Sequence, residues 1–358
     1  MDKKRMDDKK MKILAFTRYG RLGASSRVRF FQFENVLRSS GCQLYYHALL
    51  SDKYLEILYS DNRQSLLEIS KGYICRCINL FRIPFYDVIW IEKEIFPGLP
   101  ALIERILNLC GVKVVVDYDD AVFHNYDLSR NLYYRLFLSN KISVVMRTAT
   151  TVVAGNAYIA EYATLNRVKD IRIIPSVVDS DKYSVRLREP NLLPVIGWIG
   201  TPSTLRYLRE IVPVLRRIID DVPFEFVVVG ALLEIPEMQV RCVPWSEKTE
   251  IELIQQFDIG IMPLPDEPWA RGKCGYKLIQ YMACGLAVVG SPVGVNSKII
   301  GDGNGILADS LDAWELNLML LLRDSELRKS LGVKARSQVE KFYSLRSVES
   351  AYLSQFHI

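Results

Sequence analysis

Two lysines flank a glycine in the segment RGKCGYKLIQYMACGLAVVGSPVG: Lys273 and Lys277, with Gly275 between them. A helical pattern follows from about Tyr276 to Cys284, and Gly285 stands where a glycine commonly closes a helix. A helix N-terminus is already electropositive, so cations in its first turn are disfavoured unless an anion neutralises them. A bound diphosphate meets that requirement, because backbone amides and two ammonium groups would converge on its oxygens. Lysines that are merely solvated are the alternative. The preceding loop, PDEPWARGKCG, is long for a strand-to-helix connection, which favours a functional role. On the helix, Lys277, Gln280 and Tyr281 share one face, and Leu278, Ile279 and Met282 reach the core.

Three other stretches carry candidate chemistry. In YGRLGASSR, Gly20 and Gly23 permit close backbone approach, Ser25 or Ser26 can cap a helix, and Arg27 or Arg29 is available for a phosphate. An ordinary strand-to-helix turn would look similar. In KVVVDYDDAVFH, Asp117, Asp119 and Asp120 bunch beside His124. Carboxylates this close raise one another's pKa or need a counter-cation. Capping explains one aspartate but not three, and metal binding is a weaker alternative. In GTPST, Gly200 leads into a helix start, a ready anion site that many plain turns share.

These stretches need elements to hold them. Apolar, β-branched segments alternate with helix-period segments along the chain. Candidate strands are KILAFTR, QLYYHAL, DVIWIEK, KVVVDYD, TVVAGN and IRIIPS, then VIGWIG, FEFVVVG, QVRCVPW, IGIMPL, LAVVGS and NGILA. Near-continuous apolar strands between helices imply parallel sheets covered on both faces. Two sets of six imply an α/β chain of two doubly wound, Rossmann-like domains, with ligands beyond the carboxyl ends of the strands. The polar segment SDKYSVRLREPNLLP marks the break, placed around Val185: residues 1–185 form one domain and 186–343 the other. The charged lead MDKKRMDDKK is expected to be disordered.

Composition narrows the function. The chain has 358 residues, 49% hydrophobic, enough for two cores. No apolar run approaches a membrane span, and ILAF is too short for a signal-peptide core. Seven scattered cysteines and three histidines point to reduced thiols in a cytoplasmic protein with no structural metal. A net charge of +5 permits an anionic substrate or membrane surface. The segment KGYICRCINLFRIPFY mixes Lys71, Arg76 and Arg82 with apolar residues, a pattern suited to an interfacial helix; a helix with a normal core face is the alternative.

KLIQYMACGLAVVGSPVGVN resembles the donor-binding signature of retaining glycosyltransferases with the GT-B fold, family four. IIPSVVDSDKY, VIGWIGTPSTLRYL, FDIGIMPL and GDGNGILA agree in order, and the resemblance spans the chain from Met11 on. It implies two Rossmann-like domains facing across a cleft, the C-terminal one holding a nucleotide-sugar donor of UDP or GDP type and the N-terminal one the acceptor. It also implies that the last helix, 344–358, returns to the first domain. Sugar transfer would proceed with retention and without a metal, cations and helix amides stabilising the departing diphosphate. The expected setting is cell-surface polysaccharide or glycolipid synthesis, on a saccharide or lipid-linked acceptor. The place would be the inner face of the cell membrane, with peripheral membrane contact and no nucleic-acid partner.

The family usually carries two glutamates separated by seven residues; here Gln280 stands for the second. Strict spacing puts Gly272 at the first, whereas aligning IMPLPDE with an insertion puts Glu267 there, which retains the carboxylate. By resemblance, Asp119, Lys277 and Glu267 are the catalytic candidates. Asp119 occupies the place of a histidine in many relatives. Gly200, Thr201, Ser203, Trp245, Lys273, Gly275 and Gln280 would bind the donor, although Trp245 suits a core position equally. Gly23, Arg27, Asp120 and His124 would bind the acceptor. A non-catalytic nucleotide-sugar-binding protein of the same fold is the competing reading, separated by an assay of turnover. A dinucleotide oxidoreductase is disfavoured, because the first strand lacks a GxGxxG turn and a following ribose-binding acid.

Overall fold

The computed structural model describes residues 10–61, 63–185, 192–301 and 303–356. The charged lead up to residue 9 and the middle of the expected interdomain segment, 186–191, lie outside the described residues. All twelve expected segments are strands. The chain forms two compact units, one of residues 1–155, 159–174 and 349–358, the other of 156–158 and 175–348. The units part between Ile174 and Pro175 rather than near Val185.

In the first unit, six strands pair in parallel: β1 (Met11–Tyr19), β2 (Cys42–Leu50), β3 (Val88–Glu92), β4 (Val114–Tyr118), β5 (Thr151–Ala154) and β6 (Ile171–Ile173). Their order is β2-β1-β3-β4-β5-β6. Every residue of β3, β4 and β5 is buried, as expected where helices cover both faces. The order reverses between β1 and β3, so the loops after these two strands flank the switch point, where α/β sheets bind ligands. The last helix, Leu345–Ser354, runs into this unit. Tyr352 is fully buried and stacks on Phe33 with ring centroids 3.5 Å apart, and its hydroxyl donates to Arg29 O at 2.7 Å.

The second unit holds β7 (Val195–Ile199), β8 (Glu225–Val229), β9 (Val240–Val243), β10 (Ile259–Met262), β11 (Ala287–Gly290) and β12 (Ile306–Leu307), all parallel. The order β12-β11-β10-β7-β8-β9 is the Rossmann arrangement, with its switch point between β7 and β10. Alternate strand residues feed two cores. Val195, Ile199, Val227 and Val229 join one, and Ile196, Trp198, Phe226 and Val228 join the other. Gly260 on β10 sits against the buried Tyr281 ring, where a Cβ would lie 2.4 Å from ring carbons. Tyr281 is therefore core, not a member of an open face shared with Lys277. Its hydroxyl accepts Ile199 N–H at 2.9 Å and so ties the following helix to β7.

Candidate active site

The second unit gathers its candidates at the β7/β10 switch point. Gly200 follows β7 and lies against the Trp198 ring; a Cβ there would be 2.4 Å from it. Thr201 and Ser203 follow, their hydroxyls 2.8 Å apart, and Thr201 N–H donates to Thr204 Oγ1 at 3.1 Å. Gly230, after β8, has φ +87°, and a Cβ on it would come within 2.3 Å of Gly200 O. Only glycine allows these two strand ends to approach so closely.

Beyond β10, Glu267 precedes a short turn, Pro268–Arg271, and the helix Tyr276–Ala283 follows. Gly275 precedes this helix in the left-handed region at φ +65°, with Ile299 Cδ1 where a Cβ would go. Asn156, part of this unit, holds the connection in place: its amide donates to Gly272 O at 2.8 Å and Lys273 O at 3.2 Å. Lys277 Nζ lies 5.3 Å from the Trp198 ring centroid. Lys273 Nζ lies 5.8 Å from Trp269 and 5.9 Å from Tyr207. Both lysines thus turn toward aromatic rings, Lys277 toward the Trp198 ring that borders Gly200 and Lys273 toward Trp269 and Tyr207. The Trp198 ring itself offsets part of the cost of a cation near the dipole.

Arg206, outside the candidates of the sequence, joins this cluster. Its guanidinium lies over Tyr207 at 4.7 Å, donates to the Tyr207 hydroxyl at 2.7 Å and stands 3.6 Å from Glu267. Tyr207 therefore lies within 6 Å of two cations, Arg206 and Lys273. The signal was available: Arg206 opens the helix after GTPST, as Lys277 opens the one after KCG. Glu267 is brought to this cluster, paired with a cation and 43% exposed.

Trp245, whose Cβ would lie 3.2 Å from a Cβ on Gly230, is joined to Gln280 through residues the sequence did not single out. Trp245 Nε1 donates to Glu250 Oε2 at 2.6 Å, the Tyr183 hydroxyl donates to Glu250 Oε1, and Gln280 Nε2 donates to the Tyr183 hydroxyl at 2.9 Å. Gln280 and Glu250 are buried, and Trp245 is half-buried against the core. The Gln280 amide is used inside the unit rather than presented on the face of Lys277. Burial, with the neighbouring Tyr276 and Glu250, pushes the Tyr183 phenol far above its usual value, so it stays neutral and bridges the two.

In the first unit the candidates stand at the β1/β3 switch point and at the end of β4. Glu92, the last residue of β3, organises the loop after β1. Its carboxylate accepts from Arg18 N–H at 2.7 Å, Ser26 Oγ at 2.6 Å and Ser25 Oγ. Ser26 Oγ in turn accepts Tyr19 N–H at 3.0 Å. Gly20 and Gly23 pack against Asp52 and Tyr19, with no room for a Cβ at either.

The three aspartates separate in role. Asp117 makes a two-pronged bond with Arg29, at 2.8 and 3.1 Å, both side chains 1% exposed. Arg29 is therefore not available for a phosphate. Arg27 is largely buried, with Nη1 3.4 Å from Arg21 O. Asp119 and Asp120 face Lys93, which no sequence pattern revealed. Lys93 Nζ lies 2.8 Å from Asp119 Oδ1, 3.9 Å from Asp120 Oδ2 and 3.4 Å from Ser25 Oγ. Its backbone is left-handed at φ +68°, a costly conformation for a residue with a Cβ, which turns its side chain at the strand end. Burial alone would raise the Asp119 pKa, but the Lys93 ammonium and its hydrogen bond outweigh burial and hold it below the usual value. The same attraction outweighs burial for Lys93 and raises its pKa. His124 turns instead to Asp127, with Nδ1 3.0 Å from Oδ1, and its ring meets Phe123 edge-on.

Residues 193–324 match the family model described as Glycosyl transferases group 1. This segment of the second unit is similar to group 1 glycosyl transferases. No curated protein sequence matches the chain. Solved structures share the GT-B fold over nearly its whole length. A glycosyltransferase from Rickettsia africae is 15% identical, covering 97% of this chain and 98% of its own, with a TM-score of 0.69. Anabaena Alr3699/HepE, solved with UDP and glucose, is 13% identical over 96% of this chain and 98% of its own, with a TM-score of 0.71. Sucrose-phosphate synthase from Thermosynechococcus elongatus is 13% identical over 97% and 98%, with a TM-score of 0.69. The matched segment contains Gly200, Arg206, Glu267, Lys273 and Lys277. Among the described residues, no helix is long and apolar enough to cross a membrane.

Proposed function

We propose that the protein transfers a sugar from a nucleoside diphosphate sugar to a saccharide or lipid-linked acceptor, with retention at the anomeric carbon. The observation that carries this reading is a set of cations held on aromatic rings of the second unit, Lys277 over Trp198, which borders the glycine just past β7, and Lys273 and Arg206 over Tyr207. Negative charge grows on the leaving diphosphate oxygen as the bond from the anomeric carbon breaks. Fixed cations and helix amides stabilise that charge more than they stabilise the ground state, which is what accelerates the step. On this reading Lys277 serves the leaving phosphate, Lys273 and Arg206 the diphosphate, and Gly200, Thr201 and Ser203 line the phosphate pocket. Glu267 contacts the sugar, and no metal takes part. Asp119, kept ionised by Lys93, manages the proton at the acceptor hydroxyl, with Gly23, Arg27, Asp120 and His124 around the acceptor. HepE crystallised with UDP-glucose, which supports a UDP-type donor here. We place the reaction in polysaccharide or glycolipid synthesis at the cytoplasmic face of a membrane.

The buried Gln280 amide, where relatives have a glutamate, favours a second reading: a nucleotide-sugar-binding protein without turnover. One experiment separates the two. Thermal melts with UDP, GDP, ADP and CMP identify the base, since a bound ligand raises the melting temperature by mass action. Turnover of the corresponding sugar donor is then measured. Stabilisation with donor hydrolysis or transfer supports the enzyme; stabilisation without turnover supports the binder. No stabilisation by any nucleotide overturns both.

A further inference from the structure

The helix Leu66–Leu80 is built inside out. Its inward face carries Glu68, Gly72 and Arg76, spaced four apart. Glu68 accepts from Ser51 Oγ at 2.8 Å. Gly72 lies on the β2 backbone, where a Cβ would come within 1.9 Å of Leu49 O. Arg76 is fully buried and donates to Thr17 O, to His47 O at 2.7 Å and to Ile95 O at 3.3 Å, filling the carbonyl-rich ends of three adjacent chain segments. Arg76 is thus not one of the surface cations expected of this stretch. The outward face carries the apolar residues. Leu67 is 77% exposed, Ile74 62%, Ile78 60% and Phe81, just past the end, 82%. An amphipathic helix normally turns such a stripe to the core.

The stripe is continued by its neighbours. The crossovers β2 to β3, β3 to β4 and β4 to β5 all run in one direction along the sheet. Right-handed connection therefore places their helices on the same face. Leu102 and Leu109 of the helix Leu102–Leu109, and Leu136 and Phe137 of the helix Leu132–Phe137, are also exposed. Leu102 and Phe137 line one shallow groove. So large an exposed apolar area is uncommon on a soluble monomer and marks an interaction surface. Its charges are mostly basic, although the adjoining helix Asp52–Asp61 adds an exposed Glu56 beside an exposed Lys53. Lys71, Arg82, Arg105 and Arg135 are exposed among these residues, and between Arg63 and Thr150 the single exposed carboxylate is Asp87.

We infer that this face of the first unit docks on an anionic lipid surface, the apolar side chains entering the acyl boundary and the cations meeting the head groups. An apolar stripe rimmed mainly by basic residues, Lys71, Arg82, Arg105 and Arg135 against Glu56 and Asp87, complements such a surface; a protein partner or second copy would ordinarily present and receive both signs. The inference deepens the proposed placement at a membrane by assigning the surface that makes the contact, and it does not depend on the transfer reaction.

The test is flotation of the full chain with phosphatidylglycerol–phosphatidylcholine vesicles against pure phosphatidylcholine, at low and high salt. Binding to the anionic vesicles that weakens with salt is expected. Lys71→Gln, Arg82→Gln and Arg105→Gln combined should weaken it on the order of a hundredfold, at about fivefold per cation. Ile74→Asp with Ile78→Asp should abolish it. Leu316→Asp, on an exposed position of the second unit, should leave it unchanged. Donor hydrolysis in solution by the same variants should match wild type, so a failure of the transfer reading is seen separately. No anionic-vesicle binding, or equal binding by the variants, overturns the inference. So does a dimer in sedimentation that Ile78→Asp dissolves, since the face would then belong to a second copy.

Discussion

Lys93 Nζ and Asp119 Oδ1 are 2.8 Å apart, on the first residue past β3 and the first past β4. Asp119 is held below the usual carboxylate range: burial opposes ionisation, and Lys93, followed by Arg29, more than compensates. A depressed carboxylate contributes stability that is present above its unfolded pKa and lost as pH falls through its folded value. The raised Lys93 contributes stability that is present below its unfolded value near pH 10.5. The pair therefore adds no pH dependence near neutrality.

Lys93→Met should change that. With the ammonium gone, burial dominates and raises the Asp119 pKa above its unfolded value. Stability contributed by the proton is then lost as pH rises through the weakly acid range. The variant should lose about 3 kcal/mol at neutral pH, as for a broken buried pair, and recover part of it toward pH 4. Melts across pH check this; an unchanged difference from wild type at every pH refutes it.

Lys277→Ala should lower kcat on the order of a hundredfold, with a smaller effect on donor affinity, because the lost charge acts mainly in the transition state. Lys277→Arg should recover part, since a planar fork replaces a point charge. Because the ammonium also lies over Trp198, folding stability should change by less than about 1 kcal/mol. Steady-state donor hydrolysis on folded protein is the measurement. A near wild-type kcat would leave this lysine without a role in the reaction.

Gln280→Glu should destabilise rather than improve the protein. The new carboxylate would share the buried Tyr183 hydroxyl with Glu250. Like charge and burial together raise its pKa, so the loss, on the order of 1–3 kcal/mol at neutral pH, should shrink as pH falls. A melting temperature equal to wild type would show that the site accepts the charge.

Gly275→Ala should cost about 1–2 kcal/mol from the left-handed backbone alone, with the Ile299 side chain also displaced. Because Gly275 sets the start of the helix bearing Lys277, nucleotide-induced stabilisation should fall too. Thermal melts with and without UDP separate the effects, and a loss of stability with unchanged ligand response would mean the helix start is not at the donor.

Tyr352→Ala should remove a fully buried ring, its stack on Phe33 and its bond to Arg29 O, at about 3–5 kcal/mol. Denaturant titration measures this, and a loss below about 1 kcal/mol would show that the last helix contributes little to the first unit.

What the sequence determined by itself was what repeats locally. Twelve apolar, β-branched segments separated by helix-period stretches specify parallel α/β sheets, because side-chain periodicity is a property of neighbours in the chain. The glycines and polar residues after each strand were legible for the same reason, as were Lys273 and Lys277 beside a helix start. Tertiary structure decided what depends on pairing across distance. Three adjacent aspartates look equivalent until Arg29, 88 residues from Asp117, neutralises one and Lys93 engages the others. Gln280 looked free to face a ligand until Tyr183 and Glu250 took its amide inward. Periodicity marked Leu66–Leu80 as two-faced but could not say which face turns in. That choice rests on Gly72 meeting the β2 backbone and on Arg76 reaching carbonyls that only the sheet order β2-β1-β3 brings together.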